Sequence, residues 1–321
     1  MLNYILLLVG FIVLIGGANY FVNGASTMAK YMNISPLVIG LTIVAFGTSA
    51  PELIISVLAA LKGSSAMAIG NVVGSNLFNM TFIVGVMAMI YPLKVQDNTV
   101  RKEIPFTLLA SISLFILMND KNLHSGGANV ITRSEGILFL LLFAVFLYYI
   151  IEVIRKERIR DKGKPHPYEN VEKKWGKAIG ISVLGLLAIL LGGEFVVSSS
   201  SAIAIQLGMS ETLVGLTIVA IGTSSPELVT AIIAAIKKES DIALGNIVGS
   251  GVFNILFILG VAATITPLTV DPRVIVDVVI LIIFTLVLLI FSRTNFKVGK
   301  GEGSILILIY LVYLVYIIIR N

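Results

Sequence analysis

Two glutamates set the chemistry of this chain. Glu52 follows Gly47-Thr48-Ser49-Ala50-Pro51 and Glu227 follows Gly222-Thr223-Ser224-Ser225-Pro226, each inside a long apolar stretch. The next cations downstream, Lys62 and the Lys237-Lys238 pair, begin ten residues on, about 15 Å along a helix rising 1.5 Å per residue. No local salt bridge therefore neutralises either carboxylate. A charge at the bilayer centre costs about 2.5–3.5 kcal/mol on insertion scales and marks a functional site by default. A neutral, hydrogen-bonded carboxylate is the bland alternative, and the duplication argues against it.

The residues in front of each glutamate say what the carboxylate is for. Pro51 has no N–H and crowds the preceding turn, and Gly47 offers no side chain to resist an irregular backbone, so the helix should break at Gly47-Thr48-Ser49. Irregular backbone at membrane depth survives only where it is buried in protein or lines a cavity, and broken helices of this kind coordinate ions at the midplane. The partner face comes from Asn71, Ser75 and Asn79 in one stretch and Asn246, Ser250 and Asn254 in another, each trio spaced by four and so on one helix face. The donors are oxygens only: two carboxylates, several hydroxyls, amide carbonyls and backbone carbonyls. Hard cations such as Ca²⁺ take six to eight such oxygens, whereas soft metals would need thiolate or imidazole.

These side chains must be carried by membrane-spanning elements. The 321 residues are 57% hydrophobic and only 13% charged, about half the charge of an average soluble domain. Ten apolar segments stand out, with cores over 2–22, 34–61, 66–90, 104–118, 137–151, 178–205, 213–236, 242–265, 274–291 and 305–319, each long enough or nearly so to cross a bilayer. The first lacks a basic leader and a small-residue cleavage site, which predicts a retained helix rather than a signal peptide. There is no cysteine, so disulfide and thiol chemistry are excluded. His124 and His166 fall in loops with no partner at ligand spacing and read as solvated surface residues.

A net charge of +5 raises nucleic-acid binding, but in so apolar a chain the basic residues set topology. With ten helices, 18 of the 23 Lys and Arg fall in connections on one side. The positive-inside rule makes that side cytoplasmic, including the loop from Arg155 to Lys177, and puts both termini outside.

One offset of 175 residues superimposes the first motif on the second for nearly 80 residues without a gap, pairing Gly17 with Gly192, Asn79 with Asn254 and Pro92 with Pro267. Each copy spans five helices, an odd number, so the second copy enters from the opposite side. That is the inverted repeat of many secondary transporters. The expected fold is an all-α membrane protein: ten transmembrane helices in two inverted five-helix repeats, 1–154 and 178–321, joined by a cytoplasmic linker over 155–177, with the second, third, seventh and eighth helices broken around a midplane ion site. Small-residue clusters in the first and sixth helices suit close approach or sliding. The nearly featureless fourth, fifth, ninth and tenth suit a scaffold facing lipid.

The doubled motif, Gly-Thr-Ser-(Ala/Ser)-Pro-Glu-Leu followed by Gly-Asn-(Val/Ile)-Val-Gly-Ser-x-x-Phe-Asn, resembles the alpha repeats of the calcium/cation antiporter superfamily, specifically the sodium/calcium exchanger branch in its prokaryotic form without a large regulatory loop. The resemblance implies a secondary antiporter exchanging Na⁺ for Ca²⁺ by alternating access, electrogenic at about three Na⁺ per Ca²⁺, with the first and sixth helices moving. It implies ion ligands at the side chains of Glu52, Glu227, Asn79, Asn254, Ser49, Ser224, Thr48, Thr223, Ser75 and Ser250 and the backbone carbonyls of Ala45 and Ala220. Its partners are Na⁺, Ca²⁺ and the lipid bilayer, with H⁺ or other divalent cations as further candidates; no cofactor and no nucleic acid is implied. Asn254 stands where exchangers of this branch often carry Asp, so stoichiometry and potassium dependence do not transfer directly. Two other functions compete. Paired carboxylates also suit a Ca²⁺/H⁺ antiporter, and an intramembrane lipid-phosphate enzyme would use paired acids but needs arginine beside them to hold phosphate, which is missing from the four motif helices.

Overall fold

The computed structural model describes residues 2–32, 34–119, 129–160, 174–208, 220–294 and 296–320. His124, His166, most of the linker and the residues 209–219 that open the second motif lie outside the described residues. The chain is built from helices α1 Leu2–Met32, α2 Pro36–Thr48, α3 Ala50–Leu61, α4 Ser65–Ile90, α5 Ile104–Leu117, α6 Arg133–Arg160, α7 Trp175–Gln206, α8 Ala220–Thr223, α9 Ser225–Ile236, α10 Ser240–Ile265, α11 Pro272–Arg293 and α12 Lys300–Arg320.

Seven of these helices are long and apolar enough to cross a membrane, and α2 with α3 counts as an eighth span bent by 48°. Helices α5 and α9, at 14 and 12 residues, fall short of that length. The bend has a local cause. Pro51 and Pro226 sit within the first two residues of α3 and α9, so the carbonyl four positions earlier loses its N–H partner. Ser49 (φ −83°, ψ 11°) and Ser224 (φ −88°, ψ 8°) take up the break in the sparsely allowed bridge region where active-site residues often sit.

The third and eighth segments were expected to break and do not. Each runs as one 26-residue helix, α4 and α10, through a π-helical turn at Phe78–Ile83 or Phe253–Ile258. Neither carries a proline, so every residue keeps its N–H and the strain of the extra residue is absorbed by i→i+5 bonding.

Burial sorts the helices into a core and a coat. The most apolar windows of α4 and α10 are 72% and 83% buried, those of α6, α11 and α12 only 22–28%. Large residues such as Ile12, Leu141, Ile290 and Leu308 are exposed on the coat, an apolar area far beyond what a soluble surface carries. The fourth segment departs from the expected lipid-facing scaffold: Thr107 of α5 is buried and donates to the carbonyls of Glu103 (3.2 Å) and Val248 (3.5 Å).

The two copies interleave. Strand β1 (Leu93–Lys94) pairs with β4 (Lys297–Val298), and β2 (Val130–Ile131) with β3 (Leu268–Thr269), so each short antiparallel sheet takes one strand from each half. Helices α1 and α7 pack along most of their length through glycines. A Cβ on Gly17 would stand 2.8 Å from the Gly185 carbonyl, and one on Gly192 would stand 2.5 Å from the Leu14 nitrogen. Helices α2 and α10 cross as closely, because a Cβ on Gly245 would meet the Leu37 carbonyl at 2.5 Å.

Candidate ion-binding site

The bends at Ser49 and Ser224 bring the two copies face to face. Ser49 Oγ donates to Glu227 Oε1 at 2.9 Å, and Ser224 Oγ donates to Glu52 Oε1 at 3.1 Å. Each serine thus serves the glutamate of the other copy. Thr48 Oγ1 donates to Asn246 Oδ1 at 3.1 Å, and Thr223 Oγ1 to Asn71 Oδ1 at 3.4 Å, in the same crossed sense. Reciprocal contacts of this kind are what a twofold relation between two copies produces. All four motif hydroxyls and both glutamates are buried, with Glu52 and Glu227 fully inaccessible.

The symmetry is incomplete. Ser75 Oγ approaches Glu52 Oε1 at 3.5 Å and accepts from Ser224 at 3.1 Å, whereas its counterpart Ser250 donates to Asn246 Oδ1 at 3.4 Å. Behind the second break, Ser225 Oγ donates to the Gly222 carbonyl at 2.7 Å. Ala50 stands in that position in the first copy and has no hydroxyl to give. The Ala45 carbonyl accepts the Ser49 N–H at 3.0 Å and the Thr48 hydroxyl at 3.4 Å, so the carbonyl that Pro51 deprives of an N–H is that of Gly47. Of Ala220 only the backbone placement at the start of α8 is described.

Asn79 and Asn254 each sit in the π turn of their helix, where an extra residue per turn rotates side chains off the ordinary helical register. Both are fully buried, and all four of their amide atoms have no hydrogen-bond partner. Glu52 Oε2 and Glu227 Oε2 are likewise unpartnered. A buried polar atom left without a partner costs about 1–3 kcal/mol, a cost that a bound ligand would lift. The unpaired carboxylate oxygens have the chemistry to hold a cation. Among the described residues no three His, Cys, Asp or Glu side chains gather on one site; two charges supplemented by neutral oxygens suit an ion that must also leave.

Sequence reasoning missed two buried groups. Asn76 is fully buried with both amide atoms unpartnered, one residue from Ser75. Its counterpart is Gly251, where a Cβ would lie 3.6 Å from Asn76 Oδ1, so one asparagine fills the space between α4 and α10. Its place in Gly74-Ser75-Asn76 within a motif already rich in amides was the available signal. Glu103 is also buried, away from this site, and accepts from the Tyr149 hydroxyl. It directly precedes the apolar run that begins at Ile104. Asn71 and Asn246 act as supports. Asn71 Nδ2 donates to Ser56 Oγ (3.0 Å) and the Glu52 carbonyl (3.4 Å), while Asn246 Oδ1 takes up the Thr48 and Ser250 hydroxyls.

The chain is similar to known proteins. The chain is 38% identical over 320 residues to the putative antiporter CaxA of Alkalimonas amylolytica and 33% identical over 337 residues to the sodium/calcium exchanger MaX1 of Methanosarcina acetivorans, covering 96% of both chains in each case. It is 28% identical to the Ca(2+)/H(+) antiporter ChaA of Bacillus subtilis over 71% of this chain and 67% of that one. Structures of the sodium-calcium exchanger NCX_Mj superpose with a TM-score of 0.83 at 29% identity, over 98% of each chain. The profile of the family described as sodium/calcium exchanger protein matches residues 2–152 and 177–319, both halves of the chain, each with its own bent motif and glutamate. That family transports ions across membranes, which removes the enzyme reading, and it is the family to which this multi-pass membrane protein belongs.

Proposed function

We propose that the chain exchanges Na⁺ for Ca²⁺ across the cell membrane, using ten membrane helices in two inverted five-helix repeats (1–154 and 178–321, linked over 155–177) with both termini outside. The observation that carries this reading is the crossed pair Ser49–Glu227 and Ser224–Glu52. Two carboxylates from opposite copies face one buried point, each with a free oxygen, and a cation there would be held equally by both halves. Inverted halves can then expose that point alternately to either side.

The ligands of this reading are Glu52, Glu227, Asn79, Asn254, Ser49, Ser224, Thr48, Thr223, Ser75 and Ser250 through side chains and Ala45 and Ala220 through carbonyls. They exceed the six to eight oxygens that one Ca²⁺ takes, which leaves room for Na⁺ ions to occupy overlapping subsets in turn. A hydroxyl that now donates to a carboxylate turns its lone pairs to the ion when the ion binds. If the two glutamates are the only ionised groups, the site carries −2. One Ca²⁺ neutralises it and three Na⁺ leave it at +1, so exchange at three to one moves one net charge per cycle.

Proteoliposomes loaded with Na⁺ should take up Ca²⁺ on dilution into Na⁺-free medium at clamped pH. Uptake that needs a pH gradient and ignores Na⁺ would instead establish Ca²⁺/H⁺ antiport, which the similarity to ChaA favours as the second reading.

A further inference from the structure

Helices α1 and α7 form a backbone-to-backbone pair, and α1 is tied to the core hairpin by polar contacts at one end. Lys237, in the turn between α9 and α10, donates through Nζ to the Asn19 carbonyl (2.9 Å) and to Asn23 Oδ1 (2.8 Å). Ser26 Oγ donates to Glu239 Oε1 at 3.0 Å. Between the two anchors, Lys238 holds a left-handed backbone at φ 61°, a conformation uncommon outside glycine. The turn is thus shaped to direct Lys237 and Glu239 at α1.

The 175-residue offset assigns each group a counterpart on the opposite membrane side: Lys62 for Lys237, Glu194 for Asn19 and Ser198 for Asn23. The turn itself is preserved, since Gly63 has φ 75° where Lys238 has 61°. The contacts are not. Lys62 is exposed and joined to α7 by no hydrogen bond or ion pair, while Glu194 Oε1 accepts from Ser198 of its own helix at 2.8 Å. Among the described residues, one end of the α1/α7 pair is fastened and the matching end is not.

We propose that these are two alternating latches. Lys237 and Glu239 hold α1 closed against the α9–α10 turn on the cytoplasmic side, and when α1 and α7 shift together, Lys62 takes up Glu194 and Ser198 on the outer side. The inference rests on the inverted-repeat reading above. Its chemistry suits a latch because exposed ion pairs and hydrogen bonds bias an equilibrium only about two- to five-fold, enough to favour one state and weak enough to release each cycle. The two latches also differ: the outer one pairs Lys62 with a carboxylate, the inner one pairs Lys237 with a carbonyl and an amide, so high salt weakens the outer latch more.

The chain has no cysteine, so paired cysteines report cleanly in the full-length protein in proteoliposomes. With a short bis-methanethiosulfonate spacer, which forms reducible disulfides, Asn23→Cys with Lys237→Cys should cross-link readily, and Lys62→Cys with Ser198→Cys should cross-link more slowly; either cross-link should stop exchange and reduction should restore it. Adding Lys237→Met to the outer pair, which removes the inner latch and keeps the side-chain stem, should speed outer cross-linking about two- to five-fold. Lys62→Glu should slow exchange and Glu194→Lys should restore it in the double variant. An outer pair that never cross-links, a rate indifferent to Lys237→Met, or a charge swap without rescue overturns the proposal. Cross-linking does not depend on which ion drives transport, so paired-cysteine variants that cross-link as expected in a protein whose transport ignores Na⁺ would remove the proposed coupling and leave the latches standing.

Discussion

Glu52 and Glu227 share one donor arrangement but not one environment. Glu52 receives Ser224 and Ser75, and Glu227 receives Ser49. Glu52→Gln or Glu227→Gln keeps the shape and removes the charge; losing one member of a buried charged set costs about 3–5 kcal/mol, so Ca²⁺ uptake should fall at least ~100-fold while gel filtration shows an intact protein. Hydrogen bonds to charged groups are worth about 1.5–3 kcal/mol. Ser224→Ala, which strips a partner from both Glu52 and Ser75, should therefore weaken Ca²⁺ binding about tenfold or more, and further than Ser49→Ala. Acid should act in the same direction as the glutamine variants. Protonating either carboxylate removes the charge that holds Ca²⁺, so exchange should decline as pH falls from neutral to mildly acidic, measured as initial ⁴⁵Ca uptake; a flat profile would count against a shared carboxylate site.

At the scale of the element, the site depends on two bends and one close crossing. Restoring an N–H with Pro51→Ala allows α2 and α3 to join, which should lower exchange while leaving thermal stability in detergent unchanged or higher, since proline inside a helix costs about 3 kcal/mol. A drop in melting temperature with normal transport would contradict that account of the bend. The crossing of α2 and α10 permits no Cβ, because Gly245 faces backbone atoms Leu37 O and Leu41 N at 2.5 and 2.9 Å. Overpacking of this kind costs about 1–3 kcal/mol, so Gly245→Ala should melt several degrees lower. Gly16→Ala, with nothing within 4 Å of the new methyl, should not.

For the whole molecule, charge balance and topology are the quantities to measure. Three-for-one exchange carries one net charge, worth about 2.3 kcal/mol per 100 mV, so an inside-negative potential should drive Ca²⁺ out. Flux unaffected by a valinomycin-clamped potential would refute electrogenic exchange. Asn254→Asp takes the site toward −3 and should alter ion affinity more than stability, because Asn254 has no hydrogen bond to lose. Tags at both termini should be external and one in the Arg155 to Lys174 loop cytoplasmic.

The sequence alone determined the ten apolar segments, the duplication, the two glutamates and the proline-driven bends, because hydropathy, a repeated motif and a missing N–H are local properties that need no knowledge of neighbours. Only the tertiary structure decided which copy serves which glutamate. Ser49 lies three residues from Glu52 in the chain yet bonds Glu227, since the bend turns its hydroxyl toward the other half and spacing along one helix cannot reveal that. The unbroken α4 and α10 were hidden for a related reason. Tertiary packing against α2 holds Gly245 and Gly249 helical, and the π turns that aim Asn79 and Asn254 have no composition of their own. The offset pairs Asn76 with Gly251 in the sequence, but that the asparagine fills the space beside that glycine, and that Lys237 bonds α1, needed the folded chain because such contacts are set by which residues meet across the interface of the two copies.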